Sequence, residues 1–339
     1  MTTNTFEEHL TKGIEAHCAG RIEEALTAYR AAIELQPDDA EAVSLMGLAL
    51  SQSAWADQAL GFLRHAVQLE PEQLPFRMNL VEGLERLGYV EQARAEVRAV
   101  IVRDAGHFRA WEKSGDLALR AGDLEAAAAA WTQARVLDPS APGPALKLAQ
   151  LALQRGEPAK SLAILDKLAE RLPSDAQLLA LRAESLAAAR RWSDHAACVE
   201  QWLRAHPQDP EAYRALARQH FEAGQFREAA NAYGRVLALR PPTAADWTSF
   251  ASLALHALDL PAASAALEQA ERLEPQNPQM IATRALLELY AGRFKAAEED
   301  AERCLALDPD NSAAAVVLSR VRRGRLTERE AANLERIAA

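Results

Sequence analysis

The chain has few of the residues that mark a disulfide scaffold, a membrane protein or a nucleic-acid binder. Only 3 of its 339 residues are cysteine, and Cys18, Cys198 and Cys304 are widely separated, as expected for reduced thiols in a cytosol. No apolar run approaches the roughly 20 residues needed to cross a bilayer, and no basic segment followed by an apolar one opens the chain. A formal net charge of −10 disfavours binding to a phosphate backbone. These absences predict a cytoplasmic protein without membrane insertion and without a nucleic-acid partner.

Residues typical of catalytic and metal sites also lack a recognisable spacing. The 8 histidines are scattered, and the two that lie near a cysteine, His17 and His195, have no second pair at the spacing of metal ligands. No alternating apolar pattern predicts a strand, so no glycine-rich phosphate loop follows one. We therefore expect no catalytic residue, no metal site, no cofactor and no enzymatic activity.

Proline, by contrast, follows a strict period. Consecutive members of one set lie 34 residues apart, except for one gap of 68 residues whose midpoint is Ala105. The set is Pro37, Pro71, Pro139, Pro173, Pro207, Pro241, Pro275 and Pro309. Such a period predicts a solenoid of repeated units. It divides the chain into nine repeats over residues 4–309 and a tail over residues 310–339.

Small residues recur at two positions of each repeat, and a bulky apolar residue usually follows the second position by four residues. The first small position holds Gly13, Gly47, Val81, Gly115, Ala149, Ala183, Ala217, Ala251 and Ala285. The second holds Ala25, Ala59, Ala93, Ala127, Ser161, His195, Ala229, Ala263 and Ala297. A break between them, usually glycine, predicts two helices joined by a turn, and the periodic proline ends the second helix. Small residues on facing helices allow the axes to approach to about 8–10 Å. Each repeat is therefore predicted to be an antiparallel helical hairpin.

The first repeat shows the complete pattern, with Gly13, Gly20, Ala25, Tyr29, Ala32 and Pro37. This spacing resembles the tetratricopeptide repeat family, and the resemblance extends over the nine repeats. It implies an all-α, right-handed α–α superhelix of nine hairpins with C-terminal capping helices in residues 310–339. It also implies a non-enzymatic protein-interaction scaffold, adaptor or co-chaperone. It names no partner, because a fold does not fix a function.

In this family the concave groove, formed by the first helix of each hairpin, binds a peptide or protein segment. The resemblance assigns to that groove Asn79, Arg86, Arg109, Lys113 and Lys147. Some members hold an acidic C-terminus with a five-residue carboxylate clamp, and Asn79, Arg109 and Lys113 match its last three places, whereas Ser44 and Leu48 occupy the first two. Two interpretations remain open. Either this half clamp binds one carboxylate, or its cations pair with nearby acids, namely Glu82, Glu112 and Asp116.

The corresponding positions of repeats eight and nine and of the tail carry no formal charge, which predicts an apolar interface. Its larger members are Leu255, Leu286, Leu289, Tyr290, Val316 and Val317. A contiguous apolar surface marks a partner site or a self-association site. Internal covering is the alternative, by a last helix that Thr327 and Glu330 open as a capping box. A structural homo-oligomer built through this end is thus one alternative function, and a regulatory arm of a separate enzyme is another.

Two further features depart from the repeat pattern. Trp55 and Tyr89 occupy the same inter-helix turn position in adjacent repeats, which predicts an edge patch that anchors a partner. The alternative for Trp55 is that its indole fills the space next to Ala56. In repeat six, His195 and Trp202 stand where other repeats have small residues, which predicts a local widening of the helix packing and leaves open whether the repeat is a hinge.

Overall fold

The computed structural model describes residues 5–323, and the regular structure in this range is entirely helical, which confirms the all-α prediction. The chain divides into two compact units, Met1–Leu168 and Ala169–Ala339. The predicted boundary between the repeats and the tail remains a prediction. The predicted capping box of Thr327 and Glu330 lies outside the described residues.

Each repeat supplies two consecutive helices, of which the odd-numbered one is the first helix. The N-terminal unit contains α1 Phe6–Cys18, α2 Ile22–Leu35, α3 Ala40–Leu50, α4 Ala59–Leu69, α5 Leu74–Arg86, α6 Val90–Arg103, α7 Phe108–Arg120, α8 Leu124–Leu137, α9 Pro142–Gln154 and α10 Pro158–Ala169. The C-terminal unit contains α11 Ala176–Ala188, α12 Trp192–Ala205, α13 Pro210–Glu222, α14 Phe226–Leu239, α15 Ala244–His256, α16 Leu260–Leu273, α17 Pro278–Tyr290, α18 Phe294–Leu307 and α19 Ser312–Val321. First helices also pack on the next first helix, as α3 does on α5 and α15 on α17.

The two small positions of each repeat lie in the core, as predicted. All nine residues of the second set are almost completely buried, including the two exceptions to alanine, Ser161 and His195. Where the first position is glycine, the bulky residue of the same hairpin explains why. A Cβ atom built on Gly13 would lie 2.4 Å from Cε1 of Tyr29, and one on Gly115 would lie 2.3 Å from Nε1 of Trp131. Glycine therefore makes room for an aromatic ring between the two helices.

Glycine ends the first helix of most hairpins in the left-handed conformation, for example Gly20 at φ +73°. In repeats six and eight the same positive φ falls on Arg190 (55°) and Leu258 (59°), where a side chain makes this conformation less favourable. The second repeat lacks such a residue. Its hairpin is joined instead by a longer turn that includes a short 3₁₀ segment, Ala56–Gln58.

Repeat six accommodates its two large residues in the core. Trp202 is 2% exposed and its Nε1 donates a hydrogen bond to Oδ2 of Asp209 at 2.9 Å. His195 lies beside Trp192 in an edge-to-face contact of 5.5 Å between ring centroids. Helices α11 and α12 pack less closely than the hairpins that follow them in this unit, in agreement with the predicted widening. A hinge function for this repeat remains a prediction.

Candidate functional site

Four of the five predicted groove residues lie together in a cleft of about 460 Å³ in the N-terminal unit. We call it the N-terminal cleft. It is formed mainly by the first helices α5, α7 and α9 and is lined by Pro75, Met78, Asn79, Glu82, His107, Arg109, Glu112, Lys113, Asp116 and Lys147. Arg86, the fifth predicted residue, does not line this cleft. The register of the repeat therefore places side chains from three different hairpins around one space.

Acidic neighbours engage most of the cations of this region. Nζ of Lys113 donates to Oε2 of Glu85 at 2.7 Å. Nζ of Lys147 donates to Oδ1 of Asp116 at 2.8 Å and also reaches Glu112. Arg86, which does not line the cleft, pairs at 3.0 Å with Glu82, which does. Of the half-clamp cations, Lys113 is thus paired internally, with Glu85 and not with one of the three acids that the sequence suggested. Lys147 and Arg86 are also paired with nearby acids.

Asn79 and Arg109 complete the predicted half clamp and differ in their partners. Nδ2 of Asn79 donates to Oγ of Ser44, a buried side chain, at 2.9 Å. Arg109 is exposed and forms no ion pair among residues 5–323. A carboxylate that enters the cleft would therefore find one free guanidinium, whereas Asn79 and Lys113 would first have to exchange their present partners.

Next to the N-terminal cleft, Lys147 also lines a smaller cleft of about 320 Å³ together with Glu85, Arg120 and Gln150. Its Nζ lies 6.0 Å from the centre of the Trp131 ring, at the outer limit of a cation–π contact. Lys147 is thus held between a carboxylate and an aromatic ring, and it contributes to the packing of α9 against the preceding repeat.

A further cleft, of about 410 Å³, lies in the C-terminal unit and was not predicted from the sequence. We call it the C-terminal cleft. Its lining residues are Arg214, Ala217, Arg218, Phe221, Tyr233, Ala245, Thr248, Ser249, Ser252, Leu253, Asn277 and Gln279. One wall is the uncharged face of α15 that the sequence indicated, and the other is α13. The sequence could have indicated this cleft. In the first helix of repeat seven, the positions that face the groove hold Arg214, Arg218 and Phe221.

The two arginines of the C-terminal cleft have different surroundings. Arg214 donates to Oδ1 of Asp246 at 2.6 Å and also pairs with Glu211. Burial alone would raise the pKa of Asp246, but hydrogen bonds from Thr243 and Arg214 outweigh it and hold the pKa at about 2. Arg218, one turn further along α13, is exposed and forms no ion pair among the described residues. Arg214 is therefore part of the framework, and Arg218 is available to a ligand.

The predicted apolar interface is corrected by the burial of its members. Leu255 and Val317 are almost completely buried in the core of the C-terminal unit, so a partner does not reach them in this conformation. Leu286 and Leu289 are half-buried against the same core, and Val316 is also half-buried. Tyr290 alone of the six is exposed, at 47%. Leu255 and Val317 are buried because α19 packs on α17 and α18 and because residues of a first helix also face the neighbouring first helix. An interface formed by the other four residues remains a prediction.

The two aromatic residues of the inter-helix turns are exposed. The exposed fraction is 55% for Trp55 and 48% for Tyr89. The alternative in which the Trp55 indole fills the space next to Ala56 is thus wrong, because the longer turn of this repeat holds the ring outside the core. An edge patch of Trp55 and Tyr89 remains a prediction.

Within residues 5–323, no three His, Cys, Asp or Glu side chains are arranged to hold a metal ion. No described helix combines the length and the apolar character that crossing a bilayer requires.

Comparison with protein families gives one consistent result along the chain. Four family models match, all of them tetratricopeptide-type. The one described as TPR repeat matches residues 18–53, and three described as Tetratricopeptide repeat match residues 118–185, residues 79–142 and 214–280, and residues 279–311. No curated protein matches the chain.

Solved structures of low sequence identity share the fold. A tetratricopeptide repeat protein from Parabacteroides merdae is 16% identical over 74% of this chain and 98% of its own, with a TM-score of 0.54. PilW, a type IV pilus biogenesis factor, is 21% identical over 61% of this chain and 96% of its own, also with 0.54. The Cut9–Hcn1 assembly of the APC/C is 13% identical over 93% of this chain and 76% of its own, with a TM-score of 0.57. At these identities the similarity concerns the fold alone.

Proposed function

The chain belongs to the tetratricopeptide repeat family, and on this basis we propose that it is a scaffold that binds a segment of a protein partner in the clefts between its first helices. Proteins of this family are in general non-enzymatic interaction scaffolds. The finer statement, that binding takes place in a groove and that the protein acts as an adaptor or co-chaperone, is our proposal. The cytoplasm remains the predicted compartment.

The observation that carries the proposal is the N-terminal cleft itself. Its volume of about 460 Å³ is within the range of ligand-binding clefts, and its lining comes from several hairpins. The small-residue positions bury the opposite faces of the same helices, so the backbone beneath the cleft is held by core packing. A partner segment would therefore bind to a surface that is already formed, which lowers the entropic cost of binding.

Within this cleft we propose Arg109 as the principal contact for a carboxylate. The cleft lining has three Lys or Arg residues and three Asp or Glu residues. Lys113 is held by Glu85, which lies outside the lining, and Lys147 is held by Asp116. Arg109 is the cation of this lining that forms no ion pair among the described residues. Its planar guanidinium donates two parallel hydrogen bonds to a carboxylate, which makes it a suitable anchor.

The test is recovery of partners from an extract of the source cells by Arg109→Glu and by the wild type, each as the immobilised full chain. Lys113 is not altered, because a glutamate there would face the carboxylate of Glu85 and destabilise the fold. The matched control is Arg98→Glu, since Arg98 is exposed on the second helix α6 and, like Arg109, has no ion pair in the described range. We expect recovery to fall for Arg109→Glu only.

Equal recovery by Arg109→Glu and the wild type, with both proteins giving the same circular dichroism spectrum, would exclude the N-terminal cleft as the binding site for those partners. The alternative of a homo-oligomer built through the apolar C-terminal end is weakened by the burial of Leu255 and Val317. Light scattering of the full chain tests it directly, because a monomeric mass at micromolar concentration rules it out.

A further inference from the structure

We infer that the C-terminal cleft binds an acidic segment of a protein partner and that Arg218 is its anchor. The inference rests on the proposed function, because it specifies the ligand chemistry of a second cleft on the same scaffold. Its basis is the charge of the cleft, the freedom of Arg218 and the arrangement of apolar and hydroxyl groups around it.

The charge of the C-terminal cleft is of one sign. Arg214 and Arg218 line it, and no Asp or Glu is among its lining residues. The N-terminal cleft differs, because its lining has equal numbers of acids and bases. The buried carboxylate of Asp246 lies behind Arg214 and holds it in place, while Arg218 keeps its charge toward the solvent. An acidic segment is complementary to this surface, and a basic segment is not.

Acids on the other side of α13 do not neutralise Arg218. An adjoining cleft of about 300 Å³ is lined by Arg218 together with Glu184 and Glu211. Glu211 pairs with Arg214, and neither acid forms an ion pair with Arg218. The positive charge of Arg218 also acts on His195. Burial lowers the pKa of His195, and the charge of Arg218 lowers that pKa further.

Hydroxyl groups on α15 complete a site for a carboxylate. Ser249 and Ser252 line the wall opposite Arg218, and Ser249 is exposed. A hydroxyl donates one hydrogen bond, and a guanidinium donates several in one plane, so the two together match the acceptors of an Asp or Glu side chain. The bond to the ionised carboxylate is charge-assisted and is stronger than one between neutral groups.

An aromatic cluster at one end of the cleft adds an apolar subsite. The ring of Phe221, one turn after Arg218, contacts Phe226 and His256 at centroid distances of 5.4 and 5.0 Å. Phe221 and Tyr233 line the cleft itself, together with the small side chain of Ala217. The expected ligand is therefore an acidic residue close to an aromatic or aliphatic one, with the acid at Arg218 and the apolar side chain near Phe221.

A random linear peptide library displayed on phage, selected on the immobilised full chain, tests this inference. We expect the enriched peptides to contain Asp or Glu within a few residues of an aromatic or aliphatic residue. One such peptide, synthesised with a fluorescent label, then serves as the probe in anisotropy titrations. Its affinity should fall at least about tenfold for Arg218→Glu, because like charges then oppose each other. It should also fall with added salt.

Matched variants separate this inference from the proposed function. Arg227→Glu introduces the same charge at an exposed position of the second helix α14, and Arg109→Glu alters the N-terminal cleft. Both should bind the acidic peptide as the wild type does. Enriched peptides that are basic or neutral, or binding that Arg218→Glu leaves unchanged, would overturn the inference and leave the proposed function intact. Enrichment of no peptide on the full chain would overturn both.

Discussion

Substituting Gly115 by alanine would place a methyl group in the volume that Trp131 occupies. The added Cβ would lie 2.3 Å from Nε1 and 2.4 Å from Cδ1 of the indole. Trp131 is 1% exposed, and its Nε1 donates to Oδ1 of Asp116 at 3.1 Å. The ring therefore has little room to move, and its displacement would also break a hydrogen bond that positions an acid of the N-terminal cleft.

Two opposing effects decide the magnitude. Overpacking of a core costs roughly 1–3 kcal/mol, and the rigid surroundings of Trp131 favour the upper part of this range. Alanine in place of glycine in a helix stabilises by about 1 kcal/mol. The net expectation for Gly115→Ala is a loss of about 2 kcal/mol in the free energy of unfolding. Gly61→Ala is the matched control, because Gly61 is exposed on α4 and its added Cβ meets no atom within 4 Å. We expect that variant to be more stable than the wild type, by up to about 1 kcal/mol.

Urea unfolding followed by circular dichroism measures both variants, and a compensating change tests the mechanism. Repeat five carries Ala149 and Leu165 at the positions of Gly115 and Trp131, and both are buried. The double variant Gly115→Ala, Trp131→Leu should therefore lose less stability than the sum of the two single variants, by about 1 kcal/mol or more. Additive losses, or a Gly115→Ala variant as stable as the wild type, would refute the steric explanation.

Two further predictions concern buried groups of the C-terminal unit. Burial lowers the pKa of His195 below its usual 6.5, so the unfolded chain binds this proton more readily and stability is lost as the pH falls below about 6.5. His195→Ala should shrink the shift of the urea midpoint between about pH 8 and about pH 5, and an equal shift in both proteins would contradict this sign. Burial also raises the pKa of Cys198 and Cys304 to about 11, so a thiol reagent at neutral pH should modify the exposed Cys18 first, as peptide mass spectrometry can show. Fast modification of either buried thiol in the native protein would contradict that order.

The periodic part of the sequence predicted the periodic part of the structure. The small positions and the bulky residues that face them determine the hairpins, because each repeat solves the same packing problem with the same spacing. Repeat six, where the large Trp202 stands in a small position, was expected to pack less closely, and its two helices do. The long turn that exposes Trp55 was not foreseen. It lacks the glycine of most other hairpins, and nothing in the repeat pattern replaces that signal.

The candidate sites were harder to predict because their contacts join different repeats. Lys113 donates a hydrogen bond to Glu85, and Asn79 donates one to Ser44; in each case the acceptor lies on the preceding first helix. These pairings depend on which residues happen to face each other across two hairpins, and a list of groove positions does not contain that information. Burial posed the same difficulty. Val317 occupies a groove-type position, yet the helix that carries it packs on α17 and α18 and places it in the core.

The contrast between the two clefts follows from this pairing and gives a rule for reading the groove. A groove cation is available to a ligand only if no acid on its own or a neighbouring helix reaches it. In the N-terminal cleft, Lys113 and Lys147 do not meet this condition because acids reach them, whereas Arg109 meets it. In the C-terminal cleft, Arg214 does not meet it because Asp246 binds Arg214, whereas Arg218 does. The lining of this cleft contains no acid. An acidic segment that reaches the C-terminal cleft has no lining carboxylate to displace, whereas in the N-terminal cleft it competes with three of them. Electrostatic preference for an acidic partner should therefore be stronger at Arg218 than at Arg109, although the sequence pointed to Arg109.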